Sequence, residues 1–141
     1  MSSIEALWNE IDGKIRRQVS AIVIGCGQRG TNYSMLAQEM PTWLKIVAVA
    51  DPLKHRRERV ANLAGPKDEE ECMIVDDWTK LAHLDKMADC AFICTQDQMH
   101  KEPAVAFAKK GYHLLLEKPM SVDEKASLTW GQSHGSCEKD H

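Results

Sequence analysis

The sequence predicts an α/β fold built on a doubly wound parallel sheet with the strand order 3-2-1-4-5. Short, almost uninterrupted apolar runs alternate with segments whose apolar residues recur at helical spacing. Strands that alternate with helices form parallel sheets through right-handed crossovers. A glycine-rich turn directly follows the first apolar run. A chain of 141 residues suits one domain of this class.

Five apolar segments are the predicted strands. The first, VSAIVIG, is apolar on both faces, which is typical of a parallel strand covered by helices on either side. LKIVAVAD has the same character, and CMIV, CAFICT and HLLLE complete the sheet. The predicted strands span residues 19–25, 44–51, 72–75, 90–95 and 113–117.

The first helices are predicted from their apolar spacing. A stripe of apolar residues over residues 4–15 predicts a short leading helix that packs at the domain's edge. After the glycine turn, apolar residues recur at helical spacing, and Pro41 stops the predicted helix. The apolar residues are Tyr33, Leu36, Ala37 and Met40. A third helix is predicted over residues 53–64, closed by a Gly-Pro pair.

Two later helices are predicted from their ends. Asp76 and Asp77 can cap a brief helix that contains Trp78, because carboxylates accept hydrogen bonds from the free N–H groups of a first turn. Residues 103–110 form the next predicted helix, and Gly111 is placed to close it at its C-terminus.

The composition argues against several classes of function. A net charge of -3 disfavours general binding to nucleic acid or membrane surfaces, and the basic cluster at residues 54–59 is typical of a solvated helix face. No apolar run approaches the ~20 residues of a membrane span. The N-terminus lacks the basic and apolar regions of a signal peptide. Five cysteines without a C-x-x-C pair indicate free thiols, and we expect a cytoplasmic protein.

The turn GCGQRG has the G-x-G-x-x-G spacing of a dinucleotide-binding fingerprint. Gly25 allows a tight turn, Gly27 lets the backbone approach a pyrophosphate, and Gly30 lets the helix pack close to the strand. The free N–H groups of the helix N-terminus attract phosphates. The alternative is a plain strand–helix turn that is rich in glycine. The preceding strand, the following helix and an acid 21 residues later favour the dinucleotide interpretation.

The acid is Asp51, at the end of the second predicted strand. Its carboxylate can accept hydrogen bonds from the hydroxyls of an adenosine ribose and would repel a 2′-phosphate, which favours NAD over NADP. Arg56 and Arg57 lie nearby and could offset that repulsion, so NADP stays the alternative.

A methyltransferase also places a glycine turn after its first strand and an acid after its second. Those enzymes usually carry another acid just before the first glycine, where this chain has Ile22, Val23 and Ile24. An S-adenosylmethionine-binding domain is therefore the less favoured interpretation.

Four segments together resemble the cofactor-binding half of the Gfo/Idh/MocA oxidoreductases. They are AIVIGCGQRG, VAVADP, CTQDQMH and GYHLLLEKPMS, and the resemblance covers about Val19 to Leu128. The E-K-P in the last segment is its most specific element. The resemblance implies a Rossmann-like domain that binds NAD(P), and hydride transfer between the nicotinamide ring and a carbon of a sugar-like or cyclic polyol substrate.

The resemblance also implies a role for Lys118, the lysine of E-K-P. It lies near the nicotinamide and the reacting oxygen in this family, where an ammonium group can stabilise developing alkoxide charge. The alternative is a surface lysine past the end of a strand, although Pro119 restricts the backbone beside it.

The loop after the fourth strand matches the family's T-P-x-x-x-H pattern, with Gln96 in place of the proline. Thr95 and Gln96 would then line the cofactor cleft. His100 matches the family's histidine, although a residue that only packs or caps is at least as well supported. The residues expected to bind the cofactor are Gly25, Gly27, Gln28, Arg29, Gly30, Asp51, Arg56, Thr95, Gln96, His100, Glu117 and Lys118.

The end of the chain departs from the family. The family continues with a sixth strand and a second domain that walls the substrate and brings a catalytic histidine. Here Ser121 and Glu124 have the spacing of a capping box, and from about Thr129 the sequence is polar and aperiodic. We expect a leading helix at 1–18, a Rossmann domain at 19–128 and a tail at 129–141. A splice form or an incomplete gene model would produce such an ending.

Several expectations follow from this departure. A dehydrogenase needs a base for the hydroxyl proton and a cavity that excludes water, so we expect an isolated chain to be inactive or nearly so. The alternative function is a non-catalytic dinucleotide-binding module. Exposed apolar surface and an unprotected strand edge predict self-association. No metal site is expected, because His134, Cys137 and His141 fall on the predicted tail.

Overall fold

The computed structural model describes residues 17–64 and 71–119. They form a parallel sheet with the strand order β3-β2-β1-β4-β5, which confirms the predicted fold class and order. The strands are β1 Val19–Ile24, β2 Leu44–Ala50, β3 Met73–Val75, β4 Cys90–Ile93 and β5 His113–Leu116. The helices are α1 Gln28–Glu39, α2 Lys54–Asn62, α3 Trp78–Ala82 and α4 Lys101–Lys109, with a 3₁₀ turn at Asp97–Met99.

Strand β1 lies at the centre of the sheet and pairs with β2 on one side and with β4 on the other. The chain therefore runs outward from β1 through β2 to β3, and then crosses to β4 and β5 on the opposite side. Open parallel sheets bind ligands at the carboxyl ends of the strands where the order reverses in this way. The glycine turn follows β1 directly, so it lies at this position.

Side chains from both faces of the sheet are buried, as the apolar runs predict. On β1, Ala21 and Val23 pack into one core, and Ile22 and Ile24 pack into the other. The second core centres on Phe107, whose ring meets two other aromatic rings edge-on. Burial on both faces explains why the strands carry so few polar residues.

Helix α1 packs against the sheet through small residues. Its buried residues are Gly30, Ser34 and Ala37, whereas Leu36 is 44% exposed. The helix predicted from the apolar spacing is confirmed, although Leu36, one of the residues that gave this spacing, faces solvent. The helix begins so close to β1 that only small side chains fit beneath it, and Ser34 satisfies its hydroxyl by donating to the carbonyl oxygen of Gly30.

The ends of the later helices agree with the predicted capping in part. Asp77 caps α3 by accepting from the N–H of Thr79, whereas Asp76 forms an ion pair with Lys80. Helix α4 begins at Lys101, before the predicted start, because a proline is tolerated in a first turn whose N–H groups have no partner inside the helix. Gly111 follows α4 with a φ of 83°, the left-handed conformation that suits a closing glycine.

Four expectations concern residues outside the described ranges: the leading helix, the Gly-Pro pair at 65–66, the capping box at 121–124 and the tail at 129–141. Among the residues that the structure does describe, no helix is long and apolar enough to cross a membrane.

Candidate functional site

Two glycines of the turn are required by the packing around them. Gly25 has a φ of 91°, and a Cβ atom there would stand 2.5 Å from the carbonyl oxygen of Cys94. A Cβ atom at Gly30 would stand 2.1 Å from the carbonyl oxygen of Gly25. Any larger residue at either position would collide with backbone. The turn is thereby held against both β1 and the end of β4.

Gly27 is different, because the space beside it is open. The nearest atom to a Cβ placed there is Nη1 of Arg56, at 4.0 Å. Gly27 is also the N-cap of α1, and no side chain of the described residues caps that end of the helix. The first N–H groups of a helix have no partner inside the helix and attract anions. An open backbone surface beside uncapped N–H groups suits a phosphate group.

Asp51 is buried, and its carboxylate is tied to the glycine turn. One oxygen accepts from the N–H of Cys26 at 2.8 Å, and the other accepts from the N–H of Leu53 at 2.8 Å. The residue is only 6% exposed. Each carboxylate oxygen has a second acceptor position, so both oxygens can still accept from a ligand. Asp51 thus has a structural role in the turn in addition to the ribose-binding role expected from the sequence.

Arg57 is used within the protein. Its Nη1 atom donates to the carbonyl oxygens of Asp51 and Pro52, at 3.1 and 3.0 Å. Its guanidinium therefore braces the loop after β2. The sequence suggested that Arg56 or Arg57 could offset the charge of Asp51. Since Arg57 is used within the protein, Arg56 is the one whose side chain can contact a ligand at the open turn.

A groove of about 420 Å³ adjoins the open side of the turn. Its walls come from helices α1 and α2, and it is lined by Gly27, Gln28, Thr31, Asn32, His55, Arg56 and Arg59. Arg59 spans the two helices, because its Nη2 atom lies 3.3 Å from the Cys26 carbonyl oxygen and 3.2 Å from Thr31 Oγ1. The sequence predicted a solvated helix face for these basic residues, because the pattern along one helix does not show that α1 lies beside it.

The carboxyl end of β4 brings Thr95 to the same edge of the sheet. Its Oγ1 atom is buried and has no hydrogen-bond partner among the described residues. A buried hydroxyl without a partner is costly, which makes Thr95 a candidate for a contact with a ligand. The neighbouring Gln96 is exposed, and its side-chain oxygen accepts from Gln98.

His100 is fully buried between two loops. Its Nδ1 atom lies 2.8 Å from the carbonyl oxygen of Pro119, and its Nε2 atom lies 2.8 Å from that of Thr95. The imidazole therefore joins the β4 loop to the E-K-P segment. These contacts favour the packing role that the sequence left open for this histidine, and they hold Thr95 and Lys118 at one edge.

Glu117 connects the E-K-P segment to α1. Its carboxylate accepts a hydrogen bond from the hydroxyl of Tyr33 and forms an ion pair with Arg29, 3.9 Å away. The hydrogen bond to Glu117 raises the pKa of Tyr33. Sequence reasoning treated Tyr33 only as part of an apolar stripe. The sequence showed that Glu117 would need a hydrogen-bond donor, but it did not identify Tyr33 as that donor.

Lys118 is exposed beside this anchored glutamate. Within residues 17–64 and 71–119, no hydrogen bond or ion pair occupies its ammonium group. The site thus presents an exposed ammonium group next to a segment that Glu117 anchors to α1. The expected catalytic lysine lies at the same sheet edge as the glycine turn and Thr95.

The cysteines near the site are not nucleophiles. Burial raises the pKa of Cys26 and of Cys94 to about 12 in each case. Both are therefore neutral thiols at physiological pH, and a thiolate is the reactive form of cysteine. Among the described residues, no group of three or more metal-binding side chains lies together.

Comparison with known proteins identifies the family. The Gfo/Idh/MocA family model, described as an oxidoreductase family with an NAD-binding Rossmann fold, matches residues 19–132. Inositol 2-dehydrogenase 4 of Saccharopolyspora erythraea is 29% identical over 112 residues, which is 79% of this chain and 31% of that protein. The scyllo-inositol 2-dehydrogenase (NAD(+)) of Bacillus subtilis is 28% identical over 116 residues, which is 80% of this chain and 31% of that protein.

Solved structures share the fold. A scyllo-inositol dehydrogenase from Lactobacillus casei, solved with NAD(H) and scyllo-inositol, superposes with a TM-score of 0.71 at 17% identity, covering 85% of this chain and 34% of that one. A 3-ketoreductase from Actinomadura kijaniata, solved with NADP, superposes with a TM-score of 0.66 at 20% identity, covering 85% of this chain and 36% of that one. The chain spans about a third of the length of the curated relatives that it matches.

The family match covers the strand, the glycine turn, the acid and the E-K-P segment from which the resemblance was inferred, and it confirms that inference. It also leaves the S-adenosylmethionine interpretation without support. This chain belongs to the Gfo/Idh/MocA oxidoreductase family, and residues 19–132 match its NAD-binding Rossmann domain.

Proposed function

We propose that this chain binds the nicotinamide dinucleotide of an oxidoreductase that transfers hydride between the nicotinamide ring and a carbon of a cyclic polyol or sugar-like substrate. The names of two curated relatives, both inositol dehydrogenases, support the substrate class. The chain spans 31% of each, so the activity of a whole enzyme is part of the proposal.

The open turn at Gly27 is the observation that carries this proposal. The glycines on either side are required by packing, but Gly27 has free space beside it and could accept a side chain. A glycine that the fold itself does not need indicates a ligand that approaches the backbone closely. We propose that the pyrophosphate lies here, held by N–H groups of the first turn of α1, including those of Gln28 and Arg29.

The ribose and nicotinamide ends of the cofactor follow from this placement. Asp51 would accept hydrogen bonds from the adenosine ribose through the acceptor positions that Cys26 and Leu53 leave free. The partnerless hydroxyl of Thr95 supports a contact with the nicotinamide half, beside Gln96. The dinucleotide supplies a carbon that accepts or donates hydride. Lys118 would hold the reacting oxygen and stabilise its negative charge.

Removal of the hydroxyl proton is the step for which the described residues offer no clear group. His100 is buried with both ring nitrogens against carbonyl oxygens, and Glu117 is engaged with Arg29 and Tyr33. A general base must lie within hydrogen-bond reach of the proton that it removes. This observation favours a second candidate function, a dinucleotide-binding module without turnover of its own.

The test of dinucleotide binding is Gly27→Ala. The added methyl group meets open space in the free protein, so folding is unaffected, but it blocks a phosphate that touches the backbone. We expect the affinity for NADH, measured by calorimetry, to fall at least about tenfold, which is 1.4 kcal/mol. The exposed Gln38→Ala on the same helix is the control. Equal affinity in parent and Gly27→Ala would contradict the proposal.

We also propose that the 141-residue chain self-associates. In the described part of the sheet, β5 and β3 are the edge strands, and both carry exposed apolar residues. Leu115 is 38% exposed, and Met73 and Ile74 are 42% and 44% exposed. Unpaired strand edges with apolar side chains promote pairing between chains. Light scattering during size-exclusion chromatography should give a mass above that of a monomer, and a monomer at all concentrations would contradict this.

A cytoplasmic location is proposed on the cysteine chemistry. Cys26, Cys72, Cys90 and Cys94 are free in the structure. Unpaired cysteines in this number suit a reducing compartment.

A further inference from the structure

The segment that carries Lys118 is attached to the rest of the protein on both sides of that residue. The N–H of Glu117 donates to the carbonyl oxygen of Ile93 at 3.1 Å, which continues the pairing of β5 with β4. The carbonyl oxygen of Pro119 lies 2.8 Å from Nδ1 of the buried His100. Lys118 lies between these two attachments with its side chain exposed. The direction of its ammonium group therefore depends on how firmly its neighbours are held.

The side chain of Glu117 supplies a third attachment, to helix α1. One carboxylate oxygen accepts from the hydroxyl of Tyr33, and the other lies 3.9 Å from Nε of Arg29. The side chain of Glu117 is 13% exposed, whereas that of Arg29 is 61% exposed. Solvent screens an ion pair of this length at the surface, whereas a hydrogen bond to a charged acceptor is among the stronger contacts in a protein. The hydrogen bond from Tyr33 is therefore the main restraint on the carboxylate.

Tyr33 is itself held in place. Its ring packs against that of Phe92 on β4, with 5.8 Å between the ring centroids. The hydrogen bond to Glu117 raises the pKa of Tyr33, so the hydroxyl keeps its proton and can donate throughout the physiological pH range. The ring and the hydroxyl of one residue thus join the sheet, helix α1 and the E-K-P segment.

Packing alone does not explain the hydroxyl. A phenylalanine ring would make the same contact with Phe92, and a tyrosine adds only the polar group that reaches Glu117. Nor does the strand pairing need the carboxylate, since it uses the backbone N–H of Glu117. This polar contact stands directly beside the exposed lysine, which indicates a role in placing that lysine.

Building on the proposed function, in which Lys118 holds the reacting oxygen, we propose that Tyr33 is a positioning residue for Lys118 and acts through the carboxylate of Glu117. Without the hydroxyl, the carboxylate keeps only the exposed Arg29, and the backbone at Lys118 gains freedom. Placement matters for such a group, because a displacement of about 1 Å at a reacting centre can cost about 100-fold in rate.

The test measures the backbone order parameter of the Lys118 N–H by nitrogen-15 relaxation in the 141-residue chain without ligand. We expect the value of rigid backbone, about 0.85, in the parent and a value below about 0.7 in Tyr33→Phe. Tyr112→Phe is the matched control, because its hydroxyl accepts from the N–H of Met87 at 3.0 Å and belongs to the other core. An unchanged value in Tyr33→Phe, or an equal loss in Tyr112→Phe, would overturn the proposal.

Two changes at Glu117 decide whether Tyr33 acts through it. In a Glu117→Ala background, Tyr33→Phe should lower the order parameter no further, whereas additive losses would give Tyr33 an independent role and overturn the proposal. Glu117→Gln keeps an oxygen that accepts from Tyr33 but removes the charge that attracts Arg29, so Lys118 should stay ordered. Loss of order in Glu117→Gln would assign the restraint to Arg29 instead.

Ligand binding distinguishes this inference from the proposed function. NADH is compared with ADP-ribose, which lacks the nicotinamide. Tyr33→Phe should weaken the binding of NADH by at least about fivefold and that of ADP-ribose by less than about twofold. Equal losses would assign Tyr33 to the part of the cofactor that both ligands share and overturn the positioning role.

The two proposals can fail separately. If the parent binds neither ligand but Tyr33→Phe lowers the order parameter of Lys118, the positioning role stands and the dinucleotide function fails. If the parent binds NADH but Tyr33→Phe changes neither the order parameter nor the affinity, the positioning role fails and the dinucleotide function stands.

Discussion

The carboxylate of Asp51 accepts a hydrogen bond of 2.8 Å from the backbone N–H of Cys26, which joins the end of β2 to the glycine turn after β1. The acid of the dinucleotide fingerprint is thus part of the scaffold that shapes the turn as well as a candidate ligand for ribose. Changes at this residue should therefore affect more than cofactor preference.

The first prediction concerns this dual role. Asp51→Ala leaves the N–H groups of Cys26 and Leu53 without their acceptor, and we expect a loss of about 1–3 kcal/mol in the free energy of unfolding. The affinities for both NADH and NADPH should fall, because the turn loses its support. Urea denaturation and calorimetry measure the two effects, with the exposed Asp85→Ala as control. If Asp51→Ala changed the preference between NADH and NADPH but left the free energy of unfolding unaltered, the structural role of Asp51 would be contradicted and only the ribose role would remain.

The second prediction separates two glycines of one turn. At Gly30 a methyl group would overlap the carbonyl oxygen of Gly25, so Gly30→Ala should destabilise the fold by about 1–3 kcal/mol or more. At Gly27 the same change meets open space and should leave the unfolding free energy within about 0.5 kcal/mol of the parent. Urea denaturation of both variants checks the contrast. Equal losses would show that the two glycines have the same structural role.

The third prediction concerns acid sensitivity. The N–H of Ser20 holds the pKa of Asp89 below its ordinary value of 3.8. A lowered folded-state pKa means that the stabilisation is fully present above the unfolded-state value and is lost as pH falls through the folded-state value. Stability should therefore decline as the pH falls below about 4. Asp89→Asn should show a smaller difference between urea midpoints at neutral and acid pH.

Asp77 provides the comparison for that experiment. Its pKa is also lowered, by the N–H of Thr79 at the start of α3. Asp77→Asn should remove its own share of the pH dependence and leave that of Asp89. A parent-like pH dependence in Asp89→Asn would show that the contact with Ser20 does not contribute.

The fourth prediction concerns turnover. With NAD and a panel of inositols, sugars and cyclic diols, the 141-residue polypeptide should form little or no NADH. Lys118 can stabilise charge on an oxygen, but among the described residues no free group accepts the proton. Ultraviolet absorbance follows NADH, with Lys118→Ala as the matched variant. Robust turnover that disappears in Lys118→Ala would show that this domain suffices for catalysis.

The sequence by itself determined the fold class, the strand order and the position of the glycine turn. These depend on local patterns. A largely apolar run such as residues 19–24 is typical of a strand in a sheet covered on both faces, and the glycine spacing follows from the backbone geometry of a dinucleotide-binding turn. The E-K-P segment indicated the family for the same reason, since it is a contiguous motif that can be recognised without knowledge of the residues around it in the fold.

Only the tertiary structure decided which distant side chains meet. Tyr33 and Glu117 are far apart in the chain and become partners because α1 begins, and β5 ends, at the carboxyl end of the sheet. The basic residues of α2 became a groove only when α1 was placed beside them, and Leu36 became exposed because Gly30 brings α1 so close to β1. Such contacts depend on how whole elements pack, and periodicity along one segment carries no information about the neighbour across the fold.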